Sequence, residues 1–305
     1  IRNACFDSSI PPHRIAKVSG IGCSSKMPTY FLGKSHGFNS VHGRMPSLAT
    51  GASLANRDLN YIGVSGDGDT ASIGMGQFIH LIRRNVNMTY IVANNGCYGL
   101  TKGQDSATAD VGSVAKGGAV NQFDGIDLAS LALLQGASFV GRSFSGDKTQ
   151  LEPLIRAAMS HKGFAFIDVV SPCVTFNNHV GSTKSYSETR QHLDSMPVDF
   201  VPMREEIKTH YEEGTTQTVT LHDGSAIHLH KADATYKAND RRAAMDTVQQ
   251  AREDGRILTG LLFLDPDSQD LNQNLNLATR PLNELSKDEL CPGSKVLKSI
   301  NEGLR

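Results

Sequence analysis

The sequence feature that most constrains the fold is a strand–helix–strand unit that ends at Asn95. Two apolar runs, "LNYIGVSGDG" and "NMTYIVANN", flank the segment "TASIGMGQFIHLIRRN", in which apolar residues recur at helical spacing. Arg83 and Arg84 stand near the end of this predicted helix, where cations suit the helix dipole. One helix between two apolar strands is the connection that a parallel strand pair requires. The unit therefore predicts two parallel strands whose carboxyl ends meet at one edge of a sheet.

The same alternation continues along the chain. Apolar segments typical of strands occur in "RIAKVSGIG", "SFVGRSF" and "FAFIDVVSP", and helical patterns occur in "LASLALLQG" and "QLEPLIRAAMSH". Strands that are apolar at nearly every position indicate a sheet covered on both faces. We therefore predict an α/β fold with a mostly parallel sheet and helices on both faces.

The character of the sequence changes after Cys173. "TVTLHDGSAIHL" predicts a hairpin that turns at Asp223-Gly224, and "DRRAAMDTVQQAREDG" and "RILTGLLFLDP" predict a helix and a strand. The tail is polar from Ser268 onward. We divide the chain into a main domain over 1–200, a hairpin, helix and strand region over 201–267, and an extended arm over 268–305 that we expect to contact another subunit.

Composition excludes several classes of protein. The chain has 305 residues, 39% of them hydrophobic, which is enough for one large core. A net charge of −1 does not favour a nucleic-acid or membrane surface, and no apolar run reaches the length of a membrane-spanning helix. The five cysteines are odd in number and widely spaced, which favours free or metal-bound thiols in a reducing compartment such as the cytoplasm.

Polar residues follow both strands of the first unit. Gly66-Asp67-Gly68 ends one strand and Asn94-Asn95 ends the next. A diphosphate cofactor that arrives with Mg²⁺ needs oxygen ligands from the protein. Asp67 offers a carboxylate and Asn95 an amide oxygen, and we expect the backbone carbonyl of Cys97 as the third ligand.

The neighbouring residues suit the phosphates. The two glycines permit close approach of the backbone, and we expect them to shape a diphosphate cradle together with Asp69. The following helix should begin near Thr70 and direct its positive end at the phosphates. Parallel sheets bind ligands at this edge.

Two other interpretations compete for these residues. Gly66 to Ala71 also fits the loose dinucleotide-binding fingerprint, but that fingerprint requires an acidic residue after the next strand, where this chain has amides. The second alternative is a tight strand–helix turn and an Asn-Gly turn with no ligand.

The Gly-Asp-Gly and Asn-Asn pair at this separation resembles the thiamine-diphosphate-binding motif. Four further phrases, "SGIGCSSKMP", "HGFNSVHGRMPSLATG", "YGLTKGQ" and "SPCVTFNN", resemble the beta subunit of the 2-oxoacid:ferredoxin oxidoreductases. The resemblance covers residues 14–265, and "LCPGSKVL" in the tail is similar to the members that act on 2-oxoglutarate.

The resemblance implies an activity and partners. Such enzymes cleave a 2-oxo acid oxidatively on thiamine diphosphate, form acyl-coenzyme A and CO₂, and pass electrons to ferredoxin through iron–sulfur clusters. The beta subunit contributes the diphosphate half of the cofactor site and one [4Fe–4S] cluster. The alpha subunit contributes the aminopyrimidine end, so that the smallest complete unit is a heterodimer. We assign no catalytic acid or base to this chain.

By the same resemblance, Cys23 and Cys173 are cluster ligands. The family's other two ligands form a Cys-Pro-Gly-Cys before the Cys23 position. This sequence contains no Cys-x-x-Cys, so we expect those ligands to precede Ile1 in the natural chain. The alternative is that Cys23 and Cys173 are small buried residues.

Three further side chains are candidates for binding. His42, in "VHGR", lies on the loop that the family places near the cofactor, and its ring can donate to a phosphate oxygen unless it is a core histidine. Lys26 and Lys102 would suit the second carboxylate of 2-oxoglutarate, which pyruvate lacks. The alternative is two solvated surface lysines.

Two other functions remain open from the sequence. One is a cluster-free thiamine-diphosphate decarboxylase or carboligase, which usually needs a longer chain with its own pyrimidine-binding domain. The other is a non-enzymatic subunit with a degenerate cofactor fold, against which both Asp67 and Asn95 are present.

Overall fold

The computed structural model describes residues 1–99, 101, 103–113, 118–171, 173, 207–220, 226–232, 235–291 and 293–304. Within these residues, nine strands form one sheet in the order β2-β1-β3-β4-β8-β7-β11-β10-β9, and two short strands form a separate hairpin. The strands of the sheet are β1 (Ile15–Ser19), β2 (His36–Asn39), β3 (Asn60–Gly66), β4 (Met88–Asn94), β7 (Phe139–Phe144), β8 (Phe164–Val170), β9 (Thr216–Thr220), β10 (Ala226–Lys231) and β11 (Ile257–Leu264), and those of the hairpin are β5 (Cys97–Tyr98) and β6 (Gln104–Asp105).

The predicted parallel sheet is confirmed. The six strands from β2 to β7 in the sheet order run parallel to their neighbours, and β10 runs parallel to β11. Only the β7–β11 and β9–β10 pairs are antiparallel among the described strands of this sheet. The carboxyl ends of β3, β4 and β8 therefore lie together at one edge.

Helices cover both faces of this sheet, as the sequence predicts. One face packs against α2, α3, α4 and α6, and the other packs against α1 and α5. The described helices are α1 (Arg2–Asp7), α2 (Met45–Ala55), α3 (Met75–Arg84), α4 (Leu128–Leu134), α5 (Lys148–Ser160), α6 (Arg241–Glu253), α7 (Leu271–Asn274), α8 (Lys287–Leu290) and α9 (Gly293–Gly303). No helix in this part of the chain has both the length and the apolar character that crossing a bilayer requires.

Aromatic packing holds the centre of the sheet. Phe78 of α3 contacts the rings of Tyr90, Phe164 and Phe166 edge to face, at centroid distances of 5.0–6.1 Å. These residues are buried, and such pairs stabilise a fold beyond the area that they bury. Two of the strands that end at the polar edge, β4 and β8, are therefore anchored in this aromatic part of the core.

The region after residue 206 extends the same sheet. The predicted hairpin strands and the predicted strand near residue 260 are present as β9, β10 and β11, and β11 pairs directly with β7. The predicted Asp223-Gly224 turn lies outside the described residues. The domain boundaries that we infer from the sequence stay a prediction.

The tail begins as a docked segment. Asn85, which adopts the left-handed conformation after α3, donates from Nδ2 to Ser268 Oγ at 2.7 Å and to the Gln269 carbonyl at 2.8 Å. Leu271 is buried in the core, whereas α9 buries none of its residues in this chain.

The start of α3 differs from the expectation. The sequence predicts a helix start near Thr70, but a π-helical turn spans Gly68–Ile73 and α3 begins at Met75. The wider turn is compatible with the contacts of Asp69, whose side chain bonds to two neighbouring loops. Such turns interrupt helices where a side chain or a close backbone approach competes with regular hydrogen bonding.

Candidate cofactor and metal site

The structure brings Asp67 and Asn95 together at the carboxyl edge of β3 and β4. The backbone N–H of Asn95 donates to Asp67 Oδ1 at 3.2 Å. Gly96 then adopts a positive φ of 72°, and the chain turns so that Cys97 N–H donates to Asn95 Oδ1 at 3.1 Å. Two of the three residues that the sequence predicts as Mg²⁺ ligands, Asn95 and Cys97, thus occupy one turn, and Asp67 contacts that turn from the end of β3.

The second oxygen of Asp67 faces two hydroxyl groups. Thr108 Oγ1 lies 2.8 Å from Asp67 Oδ2, and the Ser106 hydroxyl also donates to this oxygen. Asp67 is 1% exposed, yet no lysine or arginine among the described residues pairs with it. A buried carboxylate that is balanced only by neutral donors leaves its charge available to a bound cation.

The glycines on either side of Asp67 serve different purposes. A Cβ built on Gly66 would meet nothing nearer than Ser24 Oγ at 3.8 Å, so this backbone borders open space. A Cβ built on Gly68 would lie 2.5 Å from the Tyr98 ring, and the Tyr98 hydroxyl donates to the Gly68 carbonyl at 3.2 Å. Gly66 therefore leaves room for a ligand, whereas Gly68 admits the tyrosine.

This donor set fits a divalent cation with a diphosphate. Carboxylate, amide and hydroxyl oxygens are the ligands that Mg²⁺ prefers, and the open face beside Gly66 gives phosphates access to the metal. The assignment of Asp67, Asn95 and the Cys97 carbonyl as ligands stays a prediction.

Asp69 occupies a different environment from Asp67. Its Oδ1 accepts from the backbone N–H groups of Ile21 at 3.2 Å and Gly43 at 2.7 Å, and its Oδ2 accepts from Ser65 Oγ at 2.5 Å. A Cβ on Gly20 would stand 1.8 Å from Asp69 Oδ2, so the glycine is required for this contact. Both oxygens of Asp69 are therefore engaged by protein groups.

His42 is held by Asp69. Its Nδ1 contacts Asp69 Oδ1, and its ring lies edge to face with Tyr98 at 6.3 Å between centroids. The His42 side chain is 33% exposed. A partly exposed ring beside Tyr98 and the π-turn is compatible with the predicted contact with a diphosphate, which stays a prediction.

A buried polar network leads away from Asp67. Thr108 Oγ1 lies 3.0 Å from Asn94 Oδ1, and Asn94 Nδ2 donates to Asp168 Oδ1 at 3.2 Å. Arg142, which stands opposite Asp168 in the β7–β8 register, donates from Nε to Asp168 at 3.0 Å and from Nη2 to Asp127 at 2.5 Å. The network ends in an ion-pair cluster of one arginine and two carboxylates.

The two carboxylates of this cluster differ in pKa. Burial raises the pKa of Asp168, and the charge of Asp127 adds to that effect. Burial also acts to raise the pKa of Asp127, but Arg142 and the Ser130 amide more than offset it and lower that pKa. The cluster lines a cavity of about 320 Å³ together with Asn94 and Thr108.

The two predicted cluster cysteines follow the carboxyl ends of β1 and β8. Cys23 is exposed at the start of a 3₁₀ turn, Ser24–Tyr30, and Cys173 is half-buried beyond β8. Burial raises the pKa of Cys23, and the Cys173 thiol raises it further, whereas Lys26 lowers it. The two thiols are therefore close enough to interact electrostatically. Among the described residues no group of three cysteine, histidine or acidic side chains forms a metal site.

The loop that carries Cys23 is anchored at both ends. Ile21 bonds to Asp69, and the buried Lys17 donates from Nζ to the carbonyls of Pro28 at 2.7 Å and Leu32 at 3.3 Å. Burial lowers the pKa of Lys17. The loop position is therefore defined by this chain's own side chains.

The lysines predicted to bind substrate are only partly described. Lys26 is exposed on the Cys23 loop, and Lys102 lies outside the described residues. The role of this pair in binding substrate therefore stays a prediction.

Sequence reasoning missed several polar residues of the site. Ser106 and Thr108 form a hydroxyl pair after the Asn-Asn turn, and Arg142 and Asp168 are opposite charges within otherwise apolar strands. Both features are visible in the sequence and could have identified these residues. The missed residues are Ser65, Ser106, Thr108, Asp127, Arg142 and Asp168.

Comparison with known proteins agrees with this geometry. Residues 20–169 match the family described as thiamine pyrophosphate enzyme, C-terminal TPP binding domain, so the chain carries a thiamine pyrophosphate-binding domain. A 2-oxoglutarate:ferredoxin oxidoreductase structure from Magnetococcus marinus, with 2-oxoglutarate, coenzyme A and succinyl-CoA bound, superposes with a TM-score of 0.71. It is 31% identical, and the match covers 90% of this chain and 79% of that one.

Curated relatives carry related names. The 2-oxoglutarate oxidoreductase subunit KorB of Mycobacterium tuberculosis is 44% identical over 58% of this chain and 48% of its own length. The 2-oxoacid:ferredoxin oxidoreductase subunit beta of Saccharolobus solfataricus is 41% identical, over 64% of each chain. The match thus spans about half to two thirds of these relatives.

A third relative is matched over most of its length. The 2-oxoglutarate synthase subunit KorB of Methanothermobacter marburgensis is 34% identical over 79% of this chain and 83% of its own. On this match and on the shared fold, the chain belongs to the KorB-type beta subunits of the 2-oxoacid:ferredoxin oxidoreductases.

Proposed function

We propose that this chain is the thiamine-diphosphate-binding subunit of an enzyme that converts 2-oxoglutarate and coenzyme A to succinyl-CoA and CO₂, or runs the reverse carboxylation. The observation that carries the proposal is the meeting of Asp67 and Asn95 in an oxygen-lined turn beside open space at Gly66, where no lysine or arginine of the described residues pairs with Asp67. The relatives that share this fold are named for the same chemistry.

This chain's residues would hold the cofactor at its diphosphate. Asp67, Asn95 and the Cys97 carbonyl would bind Mg²⁺, and His42 would donate to a phosphate oxygen. Thiamine diphosphate, when bound, supplies the carbon nucleophile that attacks the 2-oxo group. The protein's part is to fix the metal and to hold the Asp67 carboxylate in place through the Asn95 amide and the Thr108 hydroxyl.

Electron transfer would use the Cys23 loop. The Cys23 and Cys173 thiols, which interact electrostatically, suit a shared [4Fe–4S] cluster, which takes four thiolates. Ferredoxin is the proposed acceptor and an alpha subunit the proposed partner. Five cysteines without a disulfide are consistent with the cytoplasm.

Substrate choice would depend on the lysines. Lys26 lies three residues beyond Cys23 and is exposed, where its ammonium could meet a distal carboxylate. A site built for a dicarboxylate discriminates against a monoacid, because the monoacid leaves the ammonium unpaired. We therefore propose 2-oxoglutarate in preference to pyruvate or 2-oxobutyrate.

The activity test uses the enzyme purified without oxygen from its native source, so that the natural chain is assembled with its alpha subunit. We expect reduction of ferredoxin that requires both 2-oxoglutarate and coenzyme A, with about four iron and four sulfide per heterodimer from the beta-subunit cluster, plus any from other clusters. Decarboxylation without ferredoxin reduction, and without iron in this chain, would instead support the cluster-free thiamine enzyme.

The substrate test compares Lys102→Met with Lys162→Met, a surface lysine between α5 and β8. Lys102→Met should raise the KM for 2-oxoglutarate more than the KM for 2-oxobutyrate, and the control should change neither. An equal rise for both substrates would contradict the proposed role of Lys102.

The tail is proposed to contact another subunit through α9. Val296, Leu297 and Ile300 are 43–59% exposed and lie on one helical stripe. Deleting residues 286–305 leaves the docked segment at Ser268 in place and should weaken co-purification with the alpha subunit. Full co-purification of the shortened chain would show that the tail is dispensable for assembly.

A further inference from the structure

Three segments of the candidate site converge on one carboxylate. The Cys23 loop reaches Asp69 through the Ile21 amide, and the His42 loop reaches it through the Gly43 amide and the histidine ring. Strand β3 reaches it through Ser65 Oγ. Asp69 itself is 3% exposed and stands two residues after Asp67.

We propose that Asp69 is a positioning residue rather than a cofactor ligand. It fixes the positions of the Cys23 loop and the His42 loop relative to the turn that carries Asp67. This inference rests on the proposed function for the roles of Cys23 and His42. It does not rest on that function for the contacts, which belong to this chain alone.

The occupancy of the two oxygens carries the argument. Oδ1 accepts two backbone N–H groups and contacts His42 Nδ1, and Oδ2 accepts the buried Ser65 hydroxyl. A carboxylate with its lone pairs directed at these groups has little capacity left for a metal ion or for the Mg²⁺ of a diphosphate. Asp67, by contrast, is bonded by one amide and two hydroxyls and borders the open face at Gly66.

The close approach of two glycines to Asp69 supports the same assignment. A Cβ on Gly20 would stand 1.8 Å from Asp69 Oδ2, and a Cβ on Gly74 would stand 2.5 Å from the Asp69 carbonyl. The backbone on both sides thus approaches Asp69 more closely than any other residue type would allow. Gly20 thus packs against the Asp69 carboxylate and Gly74 against the Asp69 backbone, which fixes this residue between the loops.

The contact with His42 has a chemical consequence. A carboxylate that accepts from Nδ1 fixes the ring orientation and places the proton of a neutral imidazole on Nδ1. The ring then presents Nε2 away from Asp69. Asp69 therefore orients the His42 ring as well as the loop that carries it.

The test compares Asp69→Ala with the conservative Asp69→Asn in the full chain without cofactor, by hydrogen exchange of peptides over 17–31, 39–48, 88–94 and 164–170. Asp69→Ala should speed exchange about tenfold in the first two peptides, because it removes the charged acceptor of both amides. The β4 and β8 peptides should not change. Asp69→Asn keeps an oxygen at Oδ1 and should restore most of the protection.

Gly20→Ala tests the same junction from the opposite side. The added methyl group would displace the Asp69 carboxylate, so both loops should again exchange faster although Asp69 is intact. Asp58→Asn, at an exposed carboxylate, is the matched control and should leave all peptides unchanged.

A second readout is the rate at which maleimide alkylates Cys23, with the exposed Cys291 as an internal reference. Asp69→Ala should change the Cys23 rate severalfold and leave the Cys291 rate alone, and Asp69→Asn should return it towards the wild-type rate. These measurements need neither thiamine diphosphate nor iron, so failure of the proposed function would not affect them.

Three results would overturn the inference. They are unchanged exchange in either loop for both Asp69→Ala and Gly20→Ala, uniform acceleration in all peptides, and loss of folding in both variants. The last two would mean that Asp69 supports the whole domain rather than the junction of the two loops.

Discussion

Two clusters of polar residues contain buried carboxylates, one around Arg142 and one around Asp67, and they differ in how the negative charge is balanced. Asp127 and Asp168 share Arg142, so that this cluster contains its own cation. Asp67 has only an amide and two hydroxyls among the described residues. Thr108 and Asn94 connect the clusters through hydrogen bonds.

This difference predicts that the Arg142 cluster stabilises the fold, whereas Asp67 serves to bind a ligand. A carboxylate paired with an arginine has no need of a ligand, and its removal is felt as lost stability. A carboxylate left without a protein cation is balanced only when a metal arrives, and its removal is felt as lost binding. Substitutions in the Arg142 cluster should therefore lower stability, whereas substitution of the nearby Asp67 should lower ligand affinity.

The largest effect should come from Arg142→Met. The substitution leaves two buried carboxylates without a cation, and it should lower the free energy of unfolding by about 3–5 kcal/mol at pH 7. Urea denaturation followed by circular dichroism measures this loss. An unchanged midpoint would show that the cluster does not need its arginine.

The pH dependence of that loss has a definite sign. Without Arg142, burial dominates and the folded-state pKa values of Asp127 and Asp168 rise above their unfolded values. Stability is then fully present below the unfolded pKa near ~3.9 and is lost as the pH rises through the folded pKa values. The difference between Arg142→Met and wild type should therefore be much smaller at pH 4 than at pH 7.

The next largest effect should come from Asp67→Asn, which keeps the shape of the side chain and removes its charge. Affinity for thiamine diphosphate with Mg²⁺ should fall about 100-fold or more, because loss of even an indirect metal contact costs about 10–100-fold. Calorimetric titration measures the affinity. Thermal stability without ligand should change little, and a large loss of stability with intact binding would reverse the roles of the two clusters.

A smaller effect is expected at the link between the clusters. Thr108→Val removes the hydroxyl beside Asp67 Oδ2 and should weaken Mg²⁺ affinity about tenfold, whereas Thr108→Ser keeps the hydroxyl and should bind normally. Equal affinities for the two variants would mean that the hydroxyl does not orient Asp67.

The smallest effect concerns the two thiols. Cys173→Ser removes one of the groups that raise the pKa of Cys23, so the apparent pKa of Cys23 alkylation should fall. Since the thiolate is the reacting form, the rate at pH 8 should rise about twofold. A rate profile that does not move between pH 7 and 10 would place the thiols too far apart to share a cluster.

The sheet and the ligand turn follow from the sequence for a shared reason. The apolar runs that end in Gly66 and Asn94 specify two parallel strands, and parallel strands bring their carboxyl ends together whatever the rest of the chain does. The meeting of Asp67 and Asn95 is a consequence of that local pattern. Both strands and their register are present in the structure.

The second cluster and the Asp69 junction depend on contacts far apart in the chain. Arg142 and Asp168 are visible in the sequence as charges within apolar strands, but their pairing requires the β7–β8 register. Asp69 reads from the sequence as part of a cofactor motif. Only the approach of the Ile21 and Gly43 amides shows that its oxygens are already engaged. The late start of α3 was missed for the same reason.

The most direct test replaces Mg²⁺ with Mn²⁺, crystallises the chain with its alpha subunit and thiamine diphosphate, and locates the metal by anomalous scattering. The account predicts one Mn²⁺ peak at about 2.1–2.2 Å from an Asp67 carboxylate oxygen and from Asn95 Oδ1, on the open side of Gly66. A metal bound without Asp67, or a cofactor whose diphosphate lies away from this turn, would contradict it.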